Sequence, residues 1–175
     1  LRQRMERAGN ISEDDAILMG AAMCDALTYL HTRKPPILHR DIKPGNVKIT
    51  PDGHIFLVDF GLAKVAPVAQ TGQPSMLATS PALTGAGMLV GTVGYMSPEE
   101  VRGLPVDQRA DIFSFGATLY EMLSARRAFP GATQADALSA ILNADPPELG
   151  ESGVQVPPIL DRIVHRCLEK NPEER

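Results

Sequence analysis

The chain has 175 residues, with 17 lysine and arginine residues against 21 aspartate and glutamate residues, so its net charge is −4. With 43% hydrophobic and 22% charged residues, the composition excludes an intrinsically disordered chain. The mild acidity argues against nucleic acid as the main partner, because no basic excess is available to neutralise phosphates.

Two cysteines, Cys24 and Cys167, are too few for a disulfide framework, so a reducing, cytoplasmic environment is expected. The longest apolar run, residues 16–24, is shorter than the roughly 20 residues that cross a bilayer, so no membrane contact is evident in this segment.

The first part of the chain predicts two helices. A polar, basic segment over residues 1–8 stops at Gly9, and Ser12 then offers an N-cap for a second helix with acidic residues in its first turn. Residues 16–30 are apolar on most faces, which predicts a well-buried helix that ends before the prolines at 35–36.

Two short β-rich runs, residues 47–50 and 54–58, flank a Pro-Asp-Gly turn and predict an antiparallel hairpin. A hairpin centred on that turn brings Asn46 and Asp59 together at its open end. Two oxygen-bearing side chains would there be placed to share one ligand.

The remaining chain predicts one long loop and three helices. Residues 65–89 are rich in small and turn-forming residues without a period, which predicts a loop. Residues 107–127 are apolar on nearly every face, as in a central helix. Residues 132–144 predict a shorter helix, and a last helix after Pro157 carries an apolar stripe over residues 159–168. The chain is therefore predicted to be mostly helical with one small hairpin.

Three motifs lie on and around the hairpin and the loop. Residues 39–46 read HRDIKPGN, residues 59–61 read DFG, and residues 91–99 read GTVGYMSPE. In this order, with the hairpin between the first two, they resemble the eukaryotic-type serine/threonine protein kinases, and the last is similar to bacterial members. Ser97 departs from the family's alanine. The resemblance covers essentially the whole chain, because residues 107–116 also look like the family's central helix.

The resemblance implies a catalytic and a nucleotide-binding set. Asp41 would orient or accept the proton of a substrate hydroxyl, and Lys43 would neutralise charge on the transferred phosphoryl group. Thr92 would tie the substrate-binding loop to both. Asn46 and Asp59 would hold Mg²⁺ and, with Lys43, bind ATP, because Mg²⁺ prefers hard oxygen ligands.

The resemblance also implies positioning roles around residues 39–46, which correspond to the family's catalytic loop. His39 would pack beneath Phe60, and Gly61 would supply the backbone freedom of a switching metal loop. Asp111 would hold the backbone of the catalytic loop from the central helix.

The activation segment would span residues 59–99. Arg175 falls where the family has an arginine that pairs with the glutamate of the closing motif, here Glu99. Arg40 would bind a phosphate group attached to the activation segment. Five hydroxyl side chains are candidate acceptors: Thr71, Ser75, Thr79, Ser80 and Thr84.

A protein kinase also needs a glycine-rich loop, a strand lysine and a helix glutamate, and the family places all three in an N-terminal lobe. The 175 residues contain none of these motifs and begin at Leu1. We therefore expect an α+β fold, a partial kinase domain over residues 1–175 that is the mostly helical C-terminal lobe with the N-terminal lobe absent. Alone, this fragment should bind Mg-ATP weakly and transfer no phosphate.

Three functions remain open at this point. The motifs favour a serine/threonine kinase that transfers the γ-phosphoryl of ATP to Ser or Thr hydroxyls of protein substrates. The alternative is a non-catalytic, kinase-like binding module, and a purely structural helical domain is the third. A glycine-rich loop and lysine encoded upstream of Leu1 would favour the enzyme. Related bacterial kinases often continue into a membrane span, so the full-length protein could be anchored with its kinase domain in the cytoplasm.

Overall fold

A computed structural model of the chain describes residues 1–9, 11–61, 93–152 and 156–175. Within these ranges the fold is mostly helical with one two-stranded antiparallel sheet, which confirms the predicted mixture of helices and a small hairpin. None of the described helices is long and apolar enough to cross a membrane. The helices and strands, in chain order, are α1 (Arg2–Ala8), α2 (Glu13–His31), β1 (Val47–Ile49), β2 (Ile55–Leu57), α3 (Pro98–Val101), α4 (Gln108–Ser124), α5 (Gln134–Asn143) and α6 (Pro158–Cys167).

Helix α4 is the centre of the fold, as its apolar pattern predicts. Almost all of its residues are buried, and α2 and α6 pack against it. Asp107 caps the helix by accepting a hydrogen bond from the Arg109 N–H at 2.9 Å. The helix ends earlier than predicted, because Ala125 takes a left-handed backbone with φ of 57°.

Helix α2 begins at the predicted cap, where the Ser12 hydroxyl accepts a hydrogen bond from the Asp15 N–H. The prediction that this helix is well buried was wrong. Ile17 and Leu18 are 46% and 67% exposed, and Cys24 is exposed as well. Among the described residues, α2 contacts α4 and β2. These contacts bury a single stripe of the helix, which consists of Ala16, Met19, Gly20, Met23 and Leu27.

Helix α6 packs closely on α4. A Cβ on Gly116 would lie 2.5 Å from the Cβ of Cys167, so the two helices approach at a point where only glycine fits. The apolar stripe predicted over residues 159–168 is narrower than expected. Its buried members are Leu160, Val164 and Leu168, whereas Ile159 and Ile163 are 58% and 45% exposed.

The hairpin forms at the predicted place. It brings the end of the HRDIKPGN motif close to the start of the DFG motif. One more hydrogen bond, from the Val58 N–H to the Asn46 carbonyl oxygen at 2.9 Å, continues the pairing past the strands. Asp59 is the next residue after Val58, so Asn46 and Asp59 both stand at the open end. The paired residues of the strands are Val47 with Leu57, Lys48 with Phe56, and Ile49 with Ile55.

Candidate active site

The carboxylate of Asp41 is held by two neighbours from its own loop. The Lys43 Nζ lies 2.7 Å from Asp41 Oδ2, and Asn46 Nδ2 donates to the same oxygen at 2.7 Å. Asn46 Nδ2 also donates to the backbone carbonyl oxygen of Asp41 at 2.8 Å. A short 3₁₀ turn, Pro44–Asn46, folds the backbone back so that these contacts form. The three predicted residues thus share one site.

Asp111 fastens the backbone of this loop to α4. Its side chain is 1% exposed, and its two oxygens accept from the N–H groups of His39 and Arg40, each at 2.8 Å. The His31 Nε2 lies 2.8 Å from Asp111 Oδ2. One buried carboxylate therefore joins the end of α2, the catalytic loop and the start of α4.

His31 is a residue that the sequence did not single out. It lies 80 positions from Asp111, and neither residue has a spacing that predicts the contact. The sequence offers one weak signal for this contact. His31 lies at the end of a predicted helix, shortly before the HRD motif.

The backbone around the two motifs is unusual at Arg40 and Asp59, which have φ of 63° and 59°. Such left-handed conformations cost about 1–2 kcal/mol per residue outside glycine, so surrounding contacts must hold them. The Gly61 N–H donates to the His39 carbonyl oxygen at 2.8 Å. A Cβ on Gly61 would lie 3.1 Å from the Arg40 Cβ, so a larger residue would disturb this junction.

His39 is fully buried and stacks on Phe60, with ring centroids 4.6 Å apart and planes at 26°. Burial lowers the pKa of His39, against the opposing effect of Asp111, so the ring is neutral near pH 7. Its Nδ1 accepts from the Asp41 N–H at 3.4 Å. A neutral, stacked ring links the catalytic loop to the DFG segment.

The donor set of Asn46 and Asp59 fits Mg²⁺. Both hydrogen bonds that the Asn46 amide donates use Nδ2, which leaves its Oδ1 as the ligand atom. Asp59 is exposed and supplies carboxylate oxygens. Among the described residues no group of three or more His, Cys, Asp or Glu is placed to hold a metal. A site with two protein ligands suits Mg²⁺, which usually takes its other ligands from phosphates and water.

The last residue, Arg175, is bound to the start of α3. It makes a two-pronged contact with Glu99, Nη1 to Oε1 at 2.6 Å and Nη2 to Oε2 at 2.9 Å. The two side chains are 0% and 7% exposed. Ser97 forms a capping box with Glu100, so the serine at this position begins the helix through its hydroxyl.

A second network that the sequence did not indicate lies around Tyr95. Arg2, the first residue of α1, reaches this network with its guanidinium group. Its Nη1 lies 3.0 Å from Oε1 of Glu121 and its Nη2 donates to the Tyr95 hydroxyl at 2.8 Å. The Tyr95 hydroxyl donates to the other oxygen of Glu121. Burial, reinforced by Glu121, raises the pKa of Tyr95, so the phenol stays protonated.

Part of the predicted site lies outside the described residues. This holds for Thr92, for the long loop over residues 65–89 and for all five candidate phosphate acceptors in it. Thr92 and the reading of a phosphate by Arg40 therefore stay predictions.

Comparison with known proteins finds a protein kinase family and serine/threonine-protein kinases. The protein kinase domain family matches residues 1–175. Over its whole length the chain is 35% identical to a probable serine/threonine-protein kinase of Clostridium acetobutylicum and 34% identical to the serine/threonine-protein kinase PknB of Mycolicibacterium smegmatis. Over 88% of its length it is 37% identical to the serine/threonine-protein kinase PknF of Mycobacterium tuberculosis. The chain spans 24%, 26% and 30% of the length of these relatives, respectively.

Proposed function

The chain belongs to the protein kinase family, and we propose that it is the C-terminal lobe of a serine/threonine kinase that transfers the γ-phosphoryl of ATP to hydroxyls of protein substrates. One observation carries the proposal. The carboxylate of Asp41 is fixed by Lys43 and Asn46, and Asn46 also stands with Asp59 at the open end of the hairpin. The names of the relatives support the choice of serine and threonine.

Phosphoryl transfer needs positioning and charge neutralisation more than covalent chemistry. Asp41 would hold the substrate hydroxyl and take its proton as the oxygen attacks. Lys43, in contact with Asp41, would neutralise negative charge on the phosphoryl group. Because Lys43 and Asn46 meet on the same oxygen of Asp41, they fix the direction of the carboxylate before a substrate arrives.

Asn46 and Asp59 would hold Mg²⁺ together with the phosphates of ATP. Bound Mg-ATP supplies the phosphoryl group, and the cation neutralises its charge. The protein's part is to present an amide and a carboxylate oxygen from neighbouring backbone positions. The left-handed backbone of Asp59 and the junction of Gly61 with Arg40 set that presentation.

The C-terminal placement rests on which motifs are present. The described fold is mostly helical, and its catalytic, metal and closing motifs are those that the family has in this lobe. Thr92 would complete the substrate-binding loop, and Arg40 would bind a phosphate on the activation segment, residues 59–99. The 175 residues as a whole would act in the cytoplasm, where ATP and protein substrates are available.

The test compares two aspartates of the same hairpin in the full-length protein. Asp59→Asn should lower transfer of labelled γ-phosphate from ATP to a serine peptide by at least about 100-fold, because it removes a charged metal ligand. Asp52→Asn, at the exposed turn, is the matched control and should retain the wild-type rate. Wild-type transfer by the Asp59 variant, or equal loss in both variants, would contradict the proposal.

A further inference from the structure

A surface cavity of about 670 Å³ is lined by the segment that joins α2 to the catalytic loop, and we call it the Arg33 cavity. Ligand pockets in proteins have volumes in this range. None of its lining residues takes part in the candidate active site. Ile37 is 44% exposed and adds an apolar wall. The residues that line the cavity are Thr32, Arg33, Lys34, Pro35 and Ile37.

The Arg33 cavity carries two positive charges. The guanidinium carbon of Arg33 lies 4.2 Å from the centre of the Tyr29 ring, and Arg33 Nε donates to the Tyr29 carbonyl oxygen at 3.0 Å. These contacts hold the guanidinium group in place and leave its two Nη groups for a ligand. Lys34 is exposed, and among the described residues no carboxylate forms an ion pair with Arg33 or Lys34.

The end of α2 does little to offset these charges, because its carbonyl groups are capped. Unpaired carbonyl oxygens give the C-terminal end of a helix a partial negative charge. Here the Thr32 hydroxyl donates to the carbonyl oxygens of Thr28 and Tyr29, at 2.8 and 3.1 Å. The Arg33 N–H donates to the Leu30 carbonyl oxygen at 3.2 Å. The cavity therefore presents its two cations without a compensating carboxylate among its lining residues.

The Arg33 cavity is held close to the catalytic loop. Ile37 lies four residues before Asp41, and four extended residues span at most about 14 Å. The intervening N–H groups of His39 and Arg40 donate to Asp111, each at 2.8 Å, so this segment is fixed to the body of the fold. A flexible linker of about ten residues has a root-mean-square length of about 17 Å, which is enough to connect the cavity with the candidate active site.

We propose that the Arg33 cavity docks an acidic segment of the protein substrate, separate from the acceptor hydroxyl. This rests on the proposed function. Substrate carboxylates would pair with the Nη groups of Arg33 and with the Lys34 ammonium group, because a forked guanidinium matches a carboxylate. A neighbouring apolar side chain of the segment would contact Ile37. Docking raises the effective concentration of the acceptor at Asp41 and adds nothing to phosphoryl transfer itself, so it lowers KM and leaves kcat unchanged.

The first experiment uses the full-length wild-type protein and a serine peptide that is joined by a glycine/serine linker of about ten residues to a second segment. In the acidic peptide this segment contains aspartate, glutamate and leucine. In the amide peptide, asparagine and glutamine replace the acids. The KM of the acidic peptide should be lower by about 10-fold, with kcat equal for both peptides. Added salt should reduce the difference, because it screens exposed charge.

The second experiment assigns the docking to residues. The double variant Arg33→Gln, Lys34→Gln should raise the KM of the acidic peptide to that of the amide peptide and leave kcat unchanged. Arg33→Glu combined with Lys34→Glu should instead favour a peptide whose second segment carries lysine. Arg162→Gln combined with Arg166→Gln is the matched control, because it removes two exposed cations from α6, and it should keep the wild-type preference. Thermal unfolding of each variant checks that it folds.

The outcomes separate the two proposals. If the acidic and amide peptides are phosphorylated with equal KM, or if the Arg33→Gln, Lys34→Gln variant keeps the difference, the inference is wrong and the proposed function stands. If no peptide is phosphorylated, the proposed function fails, and fluorescence anisotropy of the labelled acidic segment still decides the inference. The segment should bind the wild-type protein and not the double variant. Absence of binding, as when the rest of the protein or a second copy covers the cavity, would overturn the inference.

Discussion

Lys170 shows how one buried group makes stability depend on pH. Its Nζ is buried, has no hydrogen-bond partner among the described residues, and lies 3.9 Å from the ring centre of Phe129 and 5.8 Å from that of Phe113. The ring faces attract the ammonium, but they replace only part of its lost hydration. Burial lowers the pKa of Lys170 from 10.5 to about 8.

Lys170→Met should remove a pH-dependent part of the stability. Between about pH 8 and 10.5 the unfolded protein binds a proton at Lys170 that the folded protein has lost, so wild-type stability rises with pH across this window. Below about pH 8, Lys170 is charged in the folded wild-type protein, and burying this charge lowers the free energy of unfolding. Methionine at this position avoids that loss. Urea unfolding of both proteins near pH 8 and near pH 10.5 measures the effect. The free energy of unfolding of the wild-type protein, relative to that of the variant, should be larger near pH 10.5 than near pH 8. An equal difference at both pH values would show that the amine is not desolvated.

Single residues also show what a sequence can reveal of a site. Asp41, Lys43 and Asn46 could be predicted because they form contacts within a single short loop, so the motif contains the geometry. His31 and Arg2 could not be predicted, because their partners lie 80 and 119 residues away and are brought close only by helix packing. The fold decides which polar side chains outside a motif have buried partners.

At the scale of elements, an apolar pattern predicts the existence of a helix better than the extent of its burial. Helix α4 is covered on nearly all sides, as its pattern indicates. Residues 16–30 of α2 are also apolar on most faces and α6 carries an apolar stripe, yet Leu18 and Ile159 are more than half exposed. A sequence states which residues are apolar, but not how much of each apolar face the neighbouring helices cover.

The contact between α4 and α6 can be tested through its glycine. Gly116→Ala would place a Cβ 2.5 Å from that of Cys167, so the helices must separate, and the free energy of unfolding should fall by about 1–3 kcal/mol. Gly20→Ala is the matched control on α2, because its Cβ would meet Phe115 and Leu119 at 3.7 and 3.8 Å, ordinary contact distances. That variant should be neutral or gain up to about 1 kcal/mol from helix propensity. Denaturant unfolding measures both, and equal stability of the two variants would mean that the close approach is absent.

At the scale of the whole molecule, α4 is the common support of the site. Asp111 holds the catalytic loop, and the Ser114 hydroxyl donates to the backbone carbonyl oxygen of Tyr95. The Arg109 carbonyl oxygen accepts a hydrogen bond from Arg175, which in turn binds Glu99. These contacts join residues that are 19 to 76 positions apart in the sequence. The placement of the catalytic loop and the closing motif relative to each other is therefore a property of the packed helices, although the contacts within the catalytic loop are local.

The central claim is that Asp41 acts on the substrate hydroxyl at a site whose nucleotide and metal ligands are other residues. The most direct measurement is the rate of γ-phosphoryl transfer by full-length Asp41→Asn, determined at saturating Mg-ATP together with its affinity for Mg-ATP. We expect the affinity to stay near the wild-type value, while transfer falls by about 10²–10⁴-fold, because the variant keeps the shape of the side chain but cannot take the proton. Transfer at the wild-type rate would contradict the claim.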